Sequence, residues 1–420
     1  MAEVIYRPAR VAGGVQIPPS KSAAHRALLC AALCGAPCTV SPVDASADMH
    51  ATLAGIRALG AGVSFENGVV RVAPGERPAH AVVDCGESGS TLRFLIPVFA
   101  ALGIEAAFIG RGRLPERPIG VYTALLPQHG VQVETAGGLP LKIRGRLQSG
   151  EYRLPGNVSS QFITGLLFAL PRLHGDSEIV LTAPLESKGY IDLTVEVLRG
   201  FGISVRETPR GWLVPGGQAY RPCAYTVEGD YSQAAFLAVL GAARGGVAVT
   251  GLREDSLQGD RAILDILARC GARIIRTDGA ALFEKSALRG TEIDLADCPD
   301  LGPVLMVLGA LCKGETVIRN AARLRMKESD RIAAMEQELR KMGAELFSTQ
   351  DTVTVRGGAL HGADGLYGHN DHRVVMALAV AAYAAGVPAA IGGAEAVNKS
   401  WPDFFEAVRA LGGKVELTDE

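Results

Sequence analysis

The chain has 420 residues, of which 48% are hydrophobic and 20% are charged, and its formal net charge is −2. These values are typical of a globular protein with two or three domains. The near-neutral charge argues against a general nucleic-acid-binding protein. No charged-then-apolar secretion signal opens the chain. We therefore expect a cytoplasmic protein whose eight cysteines are reduced.

In chain order, the first regularity is a repeat of about seventy residues. Six apolar segments, each predicted to be a buried helix, begin near Ser22, Ser90, Ser160, Ser232, Gly302 and His372. Glycine readily adopts the left-handed conformation that ends a helix. Glycines with the same spacing follow a second, amphipathic helix in each period, at Gly60, Gly130, Gly202, Gly271, Gly343 and Gly412. Each period thus predicts a core helix, a strand, a second helix and a β-hairpin.

The sixth period ends with Val415–Leu417, before its sheet is complete, and we expect the N-terminal residues 4–17 to supply the missing strand. This pairing divides the six repeats into two groups of three. We predict one domain of residues 19–228 and a second of residues 1–18 and 229–420. Helix N-termini attract anions, so an anionic ligand is expected in a cleft between the domains.

Residues 374–394 lack charged side chains, as a membrane-spanning segment would. Gly386 and Pro388 interrupt this run. We predict a buried helix followed by a strand, and no contact with a membrane.

In the first half of the chain, polar and basic residues cluster near predicted helix starts. Pro18–Arg26 combines possible caps with two cations, and small residues in Cys85–Arg93 are predicted to form a turn whose amides could bind an anion. Arg111–Arg117 carries three arginines, and Asn157–Gln161 and Ser187–Tyr190 add hydroxyl and amide groups. Each segment alone could be an ordinary helix cap or surface loop.

In the last third, Asp300 precedes a buried helix and could simply cap it. Lys327 and Arg331, four residues apart, are predicted to share one helix face beside Glu328, either as a surface ion-pair ladder or as part of a site. Gly368–Arg373 contains two histidines, but no third metal ligand is evident there.

The cations recur at equivalent repeat positions of a near-neutral chain, which predicts one cationic pocket for a highly anionic pair of small substrates. They are Lys21, Arg26, Arg93, Arg117, Lys327, Arg331, Arg373 and Lys399.

The chain contains, in this order, the motifs PPSKSAAHRALL, GNVSSQF, SKGYID, MKESDR, NDHR and NKSWPDFF. Together they resemble the motifs of the EPSP synthases (3-phosphoshikimate 1-carboxyvinyltransferases), over essentially the whole chain. The resemblance implies an α/β fold of two domains, each with three βαβαββ repeats around buried parallel helices, the inside-out α/β barrel of enolpyruvyl transferases.

The resemblance also implies a reaction of the shikimate pathway to chorismate and the aromatic amino acids. The enolpyruvyl group of phosphoenolpyruvate would pass to the 5-hydroxyl of shikimate 3-phosphate through a tetrahedral intermediate, with release of phosphate. No metal or organic cofactor is expected. A monomer that binds neither nucleic acid nor membrane, and that is a target of glyphosate, fits this picture.

Site residues carry over motif by motif. Those implied to bind shikimate 3-phosphate are Lys21, Ser22, Arg26, Ser159, Ser160, Gln161, Ser187, Asp300 and Lys327. Those implied to bind phosphoenolpyruvate are Lys21, Gly89, Arg117, Gln161, Arg331, Arg373 and Lys399. Those implied to transfer protons are Lys21, Asp300 and Glu328. A hydroxyl must lose a proton and a methylene carbon must gain one, and two carboxylates with separated pKa values can divide these tasks. Whether Lys21 or Glu328 protonates the carbon stays open.

The chain departs from the commonest family pattern at Glu87, where many members have Asn, and at Ser90, Phe94 and Arg323. The nearest alternative is the sister enzyme that uses UDP-N-acetylglucosamine, which typically has Lys-Asn in place of Lys21-Ser22 and often a loop cysteine. An enzyme acting on RNA ends, like the 3′-phosphate cyclases of related architecture, and a non-catalytic binding protein are further alternatives. The near-neutral charge disfavours the former, and the retained candidate catalytic residues disfavour the latter.

Overall fold

The structure is a computed structural model, and it describes residues 2–419, apart from the side chain of Asp419. The chain forms two compact units. One is Pro19–Val227, and the other combines Met1–Pro18 with Glu228–Glu420. Each unit has its own hydrophobic core.

Twelve α-helices lie within residues 2–419. They are α1 Lys21–Leu33, α2 Ala47–Ala58, α3 Gly89–Leu102, α4 Gly120–Leu125, α5 Ser160–Ala169, α6 Lys188–Gly200, α7 Tyr231–Arg244, α8 Ala262–Arg269, α9 Gly302–Leu311, α10 Arg331–Lys341, α11 His372–Ala385 and α12 Phe404–Ala410. The odd-numbered helices are the predicted core helices, and nearly all of their residues are buried. The even-numbered helices are the second helices. The six predicted glycines after them all have positive φ, so the predicted helix ends are confirmed.

Twenty-four strands lie in the same described residues. The first twelve are β1 Ala2–Arg7, β2 Gly13–Gln16, β3 Cys38–Ser41, β4 Gly62–Glu66, β5 Val69–Ala73, β6 His80–Asp84, β7 Glu105–Ile109, β8 Val131–Thr135, β9 Leu141–Gly145, β10 Glu151–Leu154, β11 Ser177–Leu181 and β12 Arg206–Thr208. The others are β13 Gly211–Val214, β14 Ala224–Thr226, β15 Val247–Thr250, β16 Arg273–Thr277, β17 Ala280–Glu284, β18 Glu292–Asp294, β19 Glu315–Arg319, β20 Glu345–Ser348, β21 Val353–Arg356, β22 Ala363–Tyr367, β23 Ala389–Gly392 and β24 Lys414–Asp419.

These strands form six four-stranded sheets with one shared topology. The orders in Pro19–Val227 are β14-β3-β5-β4, β6-β7-β9-β8 and β10-β11-β13-β12. The orders in the other unit are β2-β15-β17-β16, β18-β19-β21-β20 and β22-β23-β1-β24. In each sheet the first pair is parallel and the next two pairs are antiparallel. Three βαβαββ repeats per unit around buried helices confirm the predicted fold.

The N-terminal strand completes the sixth sheet as expected, because β1 pairs with both β23 and β24, with Val4 opposite Ile391 and Leu417. The N-terminal stretch nevertheless serves two sheets. Its second part, β2, pairs in parallel with β15 and opens the fourth repeat. The prediction of a single strand for the whole stretch is wrong here, because a four-residue strand carries too short a pattern to identify its partner.

The run 374–394 forms α11 and β23, as predicted, and no helix within residues 2–419 is long and apolar enough to cross a membrane. Close packing of the core helices is clearest between α3 and α5. A Cβ on Gly165 would clash with the backbone oxygen of Arg93. The two helix backbones can therefore approach this closely only because residue 165 is glycine.

Candidate active site

The start of α1 is fixed by a cap and an ion pair. Ser20 Oγ accepts a hydrogen bond from the backbone N–H of Ala23 at 3.3 Å, which satisfies a donor at the helix end. Lys21, the first helical residue, places its Nζ 2.7 Å from the carboxylate of Asp48 in the first turn of α2. Sequence reasoning missed Asp48, whose only signal was its position at the beginning of a second helix.

Arg26, one turn further along α1, is buried and fully engaged. Its guanidinium donates to Thr194 Oγ1 at 2.8 Å, to the backbone oxygen of Ser22 at 2.7 Å and to that of Tyr190 at 3.0 Å. The ring of Phe94, one of the departures from the family pattern, lies 5.3 Å from its Cζ. Burial lowers the pKa of Arg26 to about 10. Arg26 therefore keeps its charge at neutral pH in a fixed orientation.

Gln161 joins the starts of α3 and α5. Ser159 caps α5 by accepting from the backbone N–H of Gln161 at 3.3 Å. The Gln161 side chain accepts from Arg93 Nη1 at 2.6 Å and donates to Ser90 Oγ at 2.9 Å. A second Arg93 nitrogen donates to the backbone oxygen of Pro118 at 2.9 Å. Arg93, a predicted pocket cation with no implied ligand role, therefore contacts a predicted ligand.

Gly89 and Arg117, both predicted to bind phosphoenolpyruvate, are adjacent. A Cβ on Gly89 would lie 2.7 to 2.8 Å from three guanidinium atoms of Arg117. Of the other predicted hydroxyl ligands, Ser160 and Ser187 are buried and Ser22 is half-buried. Ser160 is the first residue of α5, and Ser187 precedes α6 with φ of 58°. The departure Glu87 packs against Gly112 in the arginine-rich loop.

In the unit that contains Glu228–Glu420, three cations surround the Asp300 carboxylate. Lys327 Nζ and Arg331 Nη1 lie 3.1 and 3.2 Å from Oδ1, and Arg373 Nη2 lies 3.1 Å from Oδ2. Burial opposes ionisation of Asp300. The three cations outweigh it and hold its pKa well below the usual range. Asp300 does not cap α9, because it belongs to the 3₁₀ turn Pro299–Leu301 and the helix has no side-chain cap.

Arg331 connects this carboxylate to two others. Its Nε donates to Asp371 at 2.8 Å and its Nη2 donates to Glu328 at 2.7 Å. Only 1% of the Arg331 side chain is exposed, and none of that of Asp371. Burial lowers the pKa of Arg331, but the three carboxylates raise it by more. The net shift of the pKa is therefore upward. The carboxylates are those of Asp371, Glu328 and Asp300. Burial lowers the pKa of Lys327, against the opposing effect of Asp300.

The predicted helical arrangement of Lys327 and Arg331 is wrong. Helix α10 begins at Arg331, and Asp330 caps it by accepting from the N–H of Ala333 at 3.0 Å. Lys327 precedes the helix in extended backbone. The two cations meet because both contact Asp300, a partner distant in sequence. The cap Ser-Asp before the helix was the signal that could have placed its start.

Arg373 and Lys399 are bound by neighbouring elements. Arg373 donates to Ser232 Oγ on α7 at 3.0 Å, and that hydroxyl donates to Asp230 at 2.6 Å. Lys399 Nζ donates to the backbone oxygen of Asn370 at 2.6 Å. Ser232 and Asp371 are further contacts of site residues that were not among the predicted site residues. Both lie where a core helix begins, which is the feature that could have identified them.

The model of the EPSP synthase family (3-phosphoshikimate 1-carboxyvinyltransferase) matches residues 5–408. The chain belongs to the EPSP synthase family. The 3-phosphoshikimate 1-carboxyvinyltransferase of Clostridium kluyveri is 44% identical over 426 residues, which is 99% of each chain. That of Clostridium perfringens strain ATCC 13124 is 42% identical over 98% of this chain and 99% of the relative. The solved structure of EPSP synthase from Acinetobacter baumannii covers all of both chains with a TM-score of 0.84 and 26% identity.

Proposed function

We propose that this EPSP synthase family member transfers the enolpyruvyl group of phosphoenolpyruvate to the 5-hydroxyl of shikimate 3-phosphate, in the pathway to chorismate and the aromatic amino acids. The observation that carries the proposal is the Asp300 carboxylate, which is kept ionised among Lys327, Arg331 and Arg373. Such a site offers an ionised oxygen that can accept a hydrogen bond from a hydroxyl, and cations to a phosphate and a carboxylate, the groups that these two substrates bring.

We assign shikimate 3-phosphate to Lys21, Ser22, Arg26, Ser159, Ser160, Gln161, Ser187, Asp300 and Lys327. We assign phosphoenolpyruvate to Lys21, Gly89, Arg117, Gln161, Arg331, Arg373 and Lys399. The motifs support this division, and the fixed orientations of Arg26 and Gln161 support their role as pre-organised ligands. Charged groups that are positioned before the reaction stabilise a transition state without reorganisation.

In the proposed reaction, the 5-hydroxyl oxygen attacks C2 of phosphoenolpyruvate while Asp300 accepts its proton. Lys21 or Glu328 donates a proton to C3, which becomes a methyl group in a tetrahedral intermediate. The group that protonated C3 then takes one methyl proton back while phosphate leaves with the proton held by Asp300, which restores the double bond and both protein groups. The phosphoenolpyruvate cations neutralise the phosphate and the carboxylate as charge moves between them.

The test is release of inorganic phosphate by the purified protein. We expect release only when both substrates are present. A chelator should leave it unchanged, because we propose that the enzyme needs no metal or cofactor. We further propose that the protein is a cytoplasmic monomer. Replacing shikimate 3-phosphate by UDP-N-acetylglucosamine is the matched control. Phosphate release from phosphoenolpyruvate with UDP-N-acetylglucosamine, but not with shikimate 3-phosphate, would identify the sister reaction. Activity lost on chelation and restored by zinc would contradict the proposal.

Gly89→Ala should raise the Michaelis constant for phosphoenolpyruvate. It should raise the inhibition constant of glyphosate more strongly, because glyphosate is a longer molecule than phosphoenolpyruvate. The added methyl group would push against the Arg117 guanidinium, 2.7 Å away. Loss of one charge-assisted hydrogen bond, worth ~1.5–3 kcal/mol, is expected to cost roughly 10-fold or more in affinity. Gly120→Ala is the control, because a Cβ there meets nothing within 4 Å. If neither constant changes in Gly89→Ala, this turn does not line the site.

A further inference from the structure

The turn before α11 has an unusual backbone. His369 and Asn370 have φ of 51° and 52°, and in the described part of the chain they are the one pair of consecutive non-glycine residues with positive φ. Residues other than glycine rarely adopt this backbone conformation, and it persists only where surrounding contacts impose it. The turn leads directly into Asp371 and Arg373, so its shape determines where these two residues lie.

The buried carboxylate of Glu338 makes those contacts. It accepts from the backbone N–H of Tyr367 at 3.0 Å, and its two oxygens lie 2.9 Å from His369 Nε2 and 2.7 Å from Lys341 Nζ. None of the Glu338 side chain is exposed. Burial opposes its ionisation, but the bonds from His369, Lys341 and Tyr367 outweigh burial and lower its pKa. The rings of Tyr367 and His369 pack edge to face, 5.2 Å apart.

The opposite end of the turn is bound by groups of the candidate site. The Asn370 carbonyl accepts from Lys399, and the Asp371 carboxylate accepts from Arg331 and from Ser329 Oγ at 3.0 Å. Arg331 and Glu338 are seven residues apart on α10, and both are buried. Residues with this spacing lie on one helix face. One face of α10 therefore contacts the turn on both sides, at Asp371 and at His369.

We propose that Glu338 and His369 are positioning residues. They hold the turn at residues 369 and 370 in its left-handed form, which places the Asn370 carbonyl on Lys399 and the Asp371 carboxylate on Arg331. Neither residue touches a reacting atom in this scheme. The inference rests on the proposed function to the extent that Arg331, Arg373 and Lys399 bind phosphoenolpyruvate. The affinity for phosphoenolpyruvate would then depend on the Glu338 carboxylate, which lies two helical turns from Arg331.

Glu338→Gln is the main test, because it keeps the side-chain shape but replaces one acceptor oxygen with an amide donor. Only one oxygen would then remain to accept hydrogen bonds from Tyr367, His369 and Lys341. We expect the Michaelis constant for phosphoenolpyruvate to rise on the order of 10-fold, as for the loss of one charge-assisted hydrogen bond. The constant for shikimate 3-phosphate and kcat should stay within about twofold of the parent protein. Glu336→Gln is the matched control on the same helix, since Glu336 bonds Ser348 and Arg340 instead of the turn. It should leave all three parameters unchanged.

His369→Asn tests the same turn if Glu338→Gln does not fold. Asparagine tolerates positive φ but is too short to repeat the bond to Glu338. It should also raise the phosphoenolpyruvate constant selectively. A binding-independent readout is amide hydrogen exchange of residues 367–371 without substrates. Exchange should be faster in Glu338→Gln and His369→Asn, and unchanged in Glu336→Gln.

The outcomes are separable. If the parent protein does not convert the two substrates, the proposed function fails, whereas the hydrogen exchange still decides whether Glu338 holds the turn. Equal increases of both Michaelis constants, or slower turnover alone, would overturn the positioning role. Unchanged exchange at residues 367–371 in a folded Glu338→Gln protein would overturn it as well.

Discussion

Asp300→Asn should lower kcat by ~10²–10⁴, the usual contribution of a general acid–base group, while both substrates still bind. The substitution is nearly isosteric and keeps an oxygen for Lys327, Arg331 or Arg373, but the amide cannot accept the hydroxyl proton. Steady-state kinetics with both substrates, together with equilibrium binding of shikimate 3-phosphate, measures the effect. Asp294→Asn is a control on the same stretch of chain, because that carboxylate bonds Asn320 and the backbone of Ala296. Unchanged turnover in Asp300→Asn would remove the proposed base.

Asp300→Asn should also change how the free energy of unfolding depends on pH. The folded pKa of Asp300 lies below its unfolded value of about 3.9. The ionised group therefore stabilises the fold above pH ~4, and that contribution is lost as the pH falls through the folded pKa. We expect Asp300→Asn to be less stable than the parent protein at pH ~7, with a difference that narrows in acid. Urea denaturation at several pH values checks this, and a difference that grows in acid would contradict it.

Arg331→Met should lower the free energy of unfolding of its unit by ~3–5 kcal/mol, the usual cost of removing one partner of a buried ion pair. The reason is Asp371, whose fully buried carboxylate would lose the guanidinium that lies 2.8 Å away. Urea denaturation, followed by a spectroscopic probe, measures the change. Arg340→Met on the same helix is the control, because 54% of that side chain is exposed. A surface substitution of this kind usually stays within ~0.5 kcal/mol.

A second variant separates the lost charge pair from lost packing. Arg331→Met combined with Asp371→Asn removes the uncompensated charge and leaves an oxygen that can still cap α11. We expect the pair to recover much of the stability lost in Arg331→Met, although catalysis stays impaired. If the double variant is no more stable than Arg331→Met, the cost comes from packing and not from the buried carboxylate.

The repeat architecture could be predicted because each of its signals is local. Apolar segments longer than a strand, glycines that require positive φ, and turn pairs such as Asn67-Gly68 act over a few residues. Their regular spacing then indicates that the same supersecondary unit occurs six times. The candidate site could be predicted as a set of helix starts for the same reason. Motif resemblance added roles that these local patterns cannot provide.

What the sequence determined by itself is thus the series of helices and hairpins, and the presence of cations near helix starts. The tertiary structure decided which charge meets which. Lys21 pairs with Asp48, Arg331 with Asp371, and Glu338 with a turn thirty-one residues away. It also divided the N-terminal stretch between two sheets. These pairings depend on long-range contacts and on burial, which make an ion pair obligatory only after the chain has excluded water from it. No local pattern in the sequence encodes that exclusion.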